Sequence, residues 1–205
     1  MVWESRSSHP LLPLRIVLDR NRGGSYLSSL LVGAGLFAMF LFLAYYMQEN
    51  LGYSALKSGF AFLPFSAGII VAAGVTSNLL PRIGPKPLLV GGGVMATIGL
   101  FYLVTITETT SWTAHVLPAE ILISLGMGAF FVTTSSLALT RISEHDAGVA
   151  SAMLNTSQQI GGALGTALLN TLFASAVTGY LVDNAATGAN AAAVAGEATI
   201  HGYHV

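Results

Sequence analysis

The 205 residues read as an all-α bundle of five transmembrane helices. Three features carry that reading. Hydrophobic residues make up 53% of the chain and charged residues only 8%, against about a quarter charged in a soluble domain. Too few charges remain to cover a water-facing surface. The apolar residues gather into five runs long enough for a bilayer, which takes about 20 residues at 1.5 Å each. The runs are also too long and too uniformly apolar for barrel strands, and lipid admits only helices or closed barrels.

The spans are expected at Tyr26–Gln48, Gly59–Leu80, Lys86–Thr107, Val116–Thr140 and Ala147–Val177. The first is rich in aromatics and Met, with Phe37 and Phe40 among them. Such a surface suits a bulky apolar ligand, although Phe is also ordinary against lipid. The third is apolar around nearly its whole circumference and is expected to be the most lipid-exposed. The fourth carries "GMG" (126–128) and "TTSS" (133–136), which suit either packing or a cavity wall.

The fifth span holds "NTSQQIGGALGTALLN" (155–170). At about 100° per residue, Asn155, Gln159, Gly162, Thr166, Asn170 and Phe173 share one sector. Ser157, Gly161 and Gly165 share another, at the small-xxx-small spacing that lets two helix backbones approach. Amides facing lipid are costly, so the polar sector is read as the wall of a water-filled path. The alternative is that these side chains tie helices together, at about 0.6 kcal/mol per bond.

The N-terminus lacks the apolar core and cleavage site of a signal peptide, so the first span is expected to act as its own insertion signal. With residues 1–25 cytoplasmic, Arg6, Arg15, Arg20, Arg22, Arg82, Lys86 and Arg141 lie inside and only Lys57 outside. That asymmetry sets the expected topology. "HPLLPLRIVLDR" either lies along the inner interface or is a solvated linker. Residues 26–178 form the membrane domain, and 179–205 are expected as a flexible extracytoplasmic tail.

Glu120 is the one carboxylate expected inside a span. It either takes up protons as a buried acid or, the plainer reading, reaches the headgroups from the helix end. Glu49 has the same two readings. No cysteine is present, "GGG" at 91–93 lacks the Lys of a phosphate loop, and His201 and His204 have no third ligand. No expected span contains Asp or His. Catalysis therefore has no residues to work with, and no cofactor, metal or nucleic-acid partner is expected.

One loop is more specific. "GVTSNLLPRIGPKPLL" (74–89) resembles the cytoplasmic loop signature of the major facilitator superfamily. Together with "LGYSALKSGFAFLP" (51–64) and "DAGVASAMLNTSQQIGGALGTAL" (146–168), it is similar to the fourteen-helix drug:proton antiporter branch. The resemblance implies an incomplete C-terminal half of that fold, helices nine to thirteen, with "HGYHV" approaching a fourteenth helix and the N-terminal half absent. It assigns Gly74, Arg82, Gly84 and Lys86 to the loop that couples helix rocking to closure, with Pro81 where an acid often stands. It also implies that the first, second, fourth and fifth spans border a central cavity.

The expected function is proton-coupled efflux of drugs or amphiphilic metabolites across the cell membrane. Phe37, Phe40, Asn155, Gln159, Thr166 and Asn170 would line the substrate path, and Glu120 would be a proton site beside those of the missing half. The alternative is a non-transporting truncated membrane protein, or a subunit that works only with a partner chain.

Overall fold

A computed structural model of the chain describes residues 14–107, 110–140, 142–185, 198 and 202. It contains a short α1 (Leu14–Val17), α2 (Arg20–Tyr45) continued by a π-helical turn (Tyr46–Asn50), α3 (Ala55–Ala61), α4 (Leu63–Ile83), α5 (Pro85–Leu103), a second π turn (Trp112–Val116) leading into α6 (Leu117–Leu139), and α7 (Glu144–Ala185). Five helical units are long and apolar enough to cross a membrane, in the order expected. No strand occurs among the described residues.

The helix ends follow local chemistry. Asp19 caps α2, accepting from the backbone N–H groups of Asn21 and Arg22 at 3.1 Å each, so the helix begins ahead of the expected Tyr26. Ser54 caps α3 by accepting from Lys57 N–H at 3.2 Å. A single residue, Gly84, joins α4 to α5 at φ 79°, a left-handed conformation that a side chain disfavours. Pro85 then starts α5, where its missing N–H costs no helix bond. Ser143 and Asp146 close the start of α7: Asp146 N–H donates to Ser143 Oγ at 3.3 Å, and that hydroxyl donates to Asp146 Oδ2 at 3.0 Å.

Arg20, Arg22, Arg82 and Lys86 mark one end of the bundle, here called the basic end. Asn50, Lys57 and Trp112 mark the far end. Two packed groups run between them. α6 is flanked by α4 and α5, while α2 packs along α7. α6 is the most enclosed span; α5 and α7 are equally the least, so the third span shares its exposure with the fifth.

Small residues make α6 the centre. Gly126 sits on Gly92 and Ala96 of α5, and Gly128 sits on Ile69 and Ala72 of α4. Of "GMG", the two glycines serve packing, while Met127 between them also faces an apolar cleft. Thr133 and Thr134 are buried with it, and Thr134 Oγ1 donates to Phe130 O at 2.7 Å.

Three apolar clusters stack along the bundle. Leu43, Tyr46, Met47, Ala61, Ile106 and Val116 fill the far end. Met39, Phe65, Ala96, Ile123 and Met127 fill the middle. Ile16, Tyr26, Ala138 and Ala150 fill the basic end. Ile16 belongs to the segment expected on the interface or in solvent, yet it is buried in the bundle, while Leu18 projects outward. Residues 9–13 of that segment lie outside the described residues.

Tyr46 pins the α5–α6 connection at the far end, its hydroxyl donating to the carbonyls of Thr107 (2.9 Å) and Thr110 (3.2 Å). Tyr46→Phe is expected to lower stability by about 0.5–1.5 kcal/mol. Thermal unfolding in detergent checks this, and an unchanged midpoint would show that the connection is held by apolar packing alone.

α7 has 42 residues, about 63 Å at the helical rise, twice the hydrocarbon thickness. It runs past the expected boundary at 178. Beyond Ala185 only Ala198 and Gly202 are described, both helical and buried, with Gly202 seated on Phe173 and Val177. The remainder of the expected flexible tail lies outside the described residues.

Candidate functional site

The α2–α7 pair positions most of the residues assigned to the path. Gly161 lies on the Leu30 backbone, Gly165 on Ala34, and Gly33 on the backbone of Gln158. Ser157 is buried on the same side. A Cβ at any of these three glycines would collide with backbone, so the close approach depends on their lacking one.

Beside this seam, Gly162 packs under the Phe37 ring, and Phe42 meets Phe173 at a centroid distance of 5.3 Å. Phe37 is nevertheless 45% exposed. Gln159 and Thr166 flank Gly162 by one turn on either side; Gln159 is exposed and Thr166 half-buried. Asn155 and Asn170 are also exposed, and Asn155 Nδ2 donates to Ser151 O at 3.2 Å on its own helix. Phe40 stands apart. Its ring lies 5.0 Å from both Phe62 and Phe65, which ties α2 to the middle of the bundle.

Two apolar clefts were not foreseen. One of about 380 Å³ is lined by α2, α5 and α6, including Leu31, Leu36, Gly93, Thr97 and Met127. Another of about 320 Å³ continues it past Phe42, Tyr46 and Leu103 to Phe173. Gly35 and Gly93 have open space where a Cβ would be, and that space is the groove. Neither cleft is lined by Asn155, Gln159, Thr166 or Asn170, so the amides lie outside the groove, which meets their helix at Leu169 and Phe173. No periodicity signal could have found the groove, because it arises from helices that fail to touch.

Glu120 is fully buried, and neither carboxyl oxygen has a hydrogen-bond partner among the described residues. This overturns the plainer reading of Glu120 as a headgroup contact. Glu120 lies on the inner side of the central helix with Val116 and Ala119, both fully buried, while Ile121 takes the outward side of the same turn. Glu49, by contrast, is exposed.

His115 and Asp146 are among the ionisable residues outside the expected spans that lie within the observed ones. His115 stacks on Tyr102 at 5.7 Å in the π turn before α6, and Asp146 is buried in the first turn of α7. The Ser143-x-x-Asp146 spacing was the available signal for the second.

In the loop signature, Gly84 makes the α4–α5 joint. Arg82 and Lys86 are exposed on either side of it, and neither forms an ion pair among the described residues. Gly74 faces open space, and its carbonyl accepts from Asn78 Nδ2 at 2.9 Å.

The chain resembles known proteins along most of its length. It is 43% identical over 205 residues to the puromycin resistance protein pur8 of Streptomyces alboniger, covering 98% of this chain and 40% of that one. It is 30% identical over 181 residues to the cephamycin export protein CmcT of Amycolatopsis lactamdurans, covering 87% and 37% respectively. The tetracenomycin C resistance and export protein of Streptomyces glaucescens is 30% identical over 174 residues, covering 85% and 32%. The chain thus spans about two fifths or less of the length of these relatives. The family model of the Major Facilitator Superfamily matches residues 3–166. With five helices able to cross a bilayer in the expected order and that match across most of its length, the chain is a multi-pass membrane protein of the major facilitator superfamily.

Proposed function

We propose that the chain is part of a proton-coupled exporter of drugs or amphiphilic metabolites, contributing helices nine to thirteen of a fourteen-helix fold. Its basic end faces the cytoplasm. The observation that carries this reading is the row of exposed amides Asn155, Gln159 and Asn170 on a membrane helix. Lipid offers amides no partner, so they face a wet path shared with a second bundle. Phe37 supplies apolar area beside them, and the amides orient a substrate by hydrogen bonds. The names of the relatives, which speak of resistance to and export of antibiotics, support a bulky amphiphilic substrate. Arg82 and Lys86 at the tight α4–α5 joint couple helix rocking to closure at the cytoplasmic side.

The test is accumulation of an amphiphilic cationic dye in cells making the chain. The chain is expected to lower accumulation. Gln159→Leu is expected to cut the export rate about tenfold, the loss of a contact worth about 1.4 kcal/mol. Unchanged export by the variant would sink the path assignment.

The same exposed amides favour a second reading, a subunit that acts only with a partner chain. Export that begins only when a second bundle is co-expressed is its expected result.

A further inference from the structure

The far end of the bundle gathers buried polar atoms that have no partner among the described residues. They are both oxygens of Glu120, Ser58 Oγ, Asn50 Oδ1, Trp112 Nε1 and His115 Nδ1. Each such atom costs free energy unless water or a ligand satisfies it. Glu120 lies one turn beyond Val116 of the far-end cluster and one turn before Ile123 of the middle cluster. An ionisable side chain placed between two apolar layers of a membrane helix marks an ion pathway.

The ion is small. The two large clefts take Ile123 and Met127 into their walls but not Glu120, so an organic cation in them does not reach the carboxyl. Among the described residues no countercharge reaches it either. On the helices around it, Lys57 lies over the Tyr53 ring at 3.6 Å, His115 stacks on Tyr102, Tyr46 is bonded to two carbonyls, and Glu49 is exposed. α4 and α5 bring only Arg82 and Lys86, at the basic end, and Tyr102, which stacks on His115; α7 has no acid or base between Ala147 and Gly179.

Both π turns lie at this end. One leads directly into the turn that bears Glu120, and Tyr46 of the other packs with Val116. Such turns are rare and concentrate at functional sites.

We propose that Glu120 is a proton-exchange site reached from the far end of the bundle. The carboxylate takes up one proton and the acid later returns it, with no other bond made or broken. Waters held by Ser58, Asn50 and Trp112 carry the proton between Glu120 and the bulk. Its use in driving export rests on the function proposed above; the exchange itself does not.

Infrared difference spectra of the purified chain in lipid nanodiscs, recorded between two pH values, test it. With glutamate carboxyls labelled by ¹³C, the wild type is expected to show an isotope-shifted acid C=O band that changes with pH and is lost in Glu120→Gln. A labelled wild type with no pH-dependent acid band overturns the proposal, whether or not the variant folds. A band that persists unchanged in a folded Glu120→Gln overturns it as well. Glu120→Asp is expected to move the band out of the glutamate-labelled set. Exchange without dye export would defeat the export reading and leave the proton site standing. Export with the same pH dependence in Glu120→Gln would remove the driving role.

Discussion

Gly161→Leu is expected to drive α2 and α7 apart and to leave little monodisperse protein after detergent extraction. The missing Cβ at Gly161 is what lets the Leu30 carbonyl rest on α7. A leucine there meets backbone, which cannot rotate aside as a flexible side chain can. Overpacking of this kind costs about 1–3 kcal/mol and sometimes more, and α2 packs on no other helix as extensively as on α7. The control is Gly91→Leu, because Gly91 lies on the exposed side of α5 with nothing near its absent Cβ. Its expected change is within about 0.5 kcal/mol. Thermal unfolding of both variants in one detergent makes the comparison. Equal midpoints would show that the α2–α7 seam does not hold the bundle together.

Glu120→Met is expected to act in the opposite direction and raise the unfolding temperature. Methionine has similar length, fills irregular space and carries no strong polar atom. It would relieve two carboxyl oxygens that lack partners among the described residues, a gain of about 1–3 kcal/mol. Proton exchange at the site would be lost at the same time. A chain that becomes more stable as it loses an activity has kept a costly residue for that activity. Lower stability in Glu120→Met would instead show that the waters of the proton path more than offset the cost of burying the carboxyl.

Much of the helix order was legible because lipid imposes a simple rule on sequence. A segment without polar partners must be apolar over about 20 residues and helical throughout, so five runs gave five spans. The Ser157/Gly161/Gly165 spacing and the polar sector of the fifth helix were equally visible, since a helix fixes which residues share a side. Helix ends were less so. The Asp19 cap lengthened α2, and the Ser143–Asp146 cap drew a carboxylate into α7, because capping depends on one or two side chains rather than on a run.

What only the tertiary structure decided is which helix stands at the centre and what its sides touch. The third and fourth spans are both apolar and glycine-bearing, yet α5 lies at the edge and α6 between two neighbours. Periodicity describes one helix at a time and carries no account of its partners. For the same reason Glu120 read most plainly as a headgroup contact, and only the packing of the other helices around α6 sealed it inside. Phe37 and Phe40, three residues apart, parted company likewise, one meeting Gly162 of α7 and the other Phe62 and Phe65. Hydropathy determined that these side chains leave water; the neighbouring helices determined whether each then meets lipid, protein or an open path.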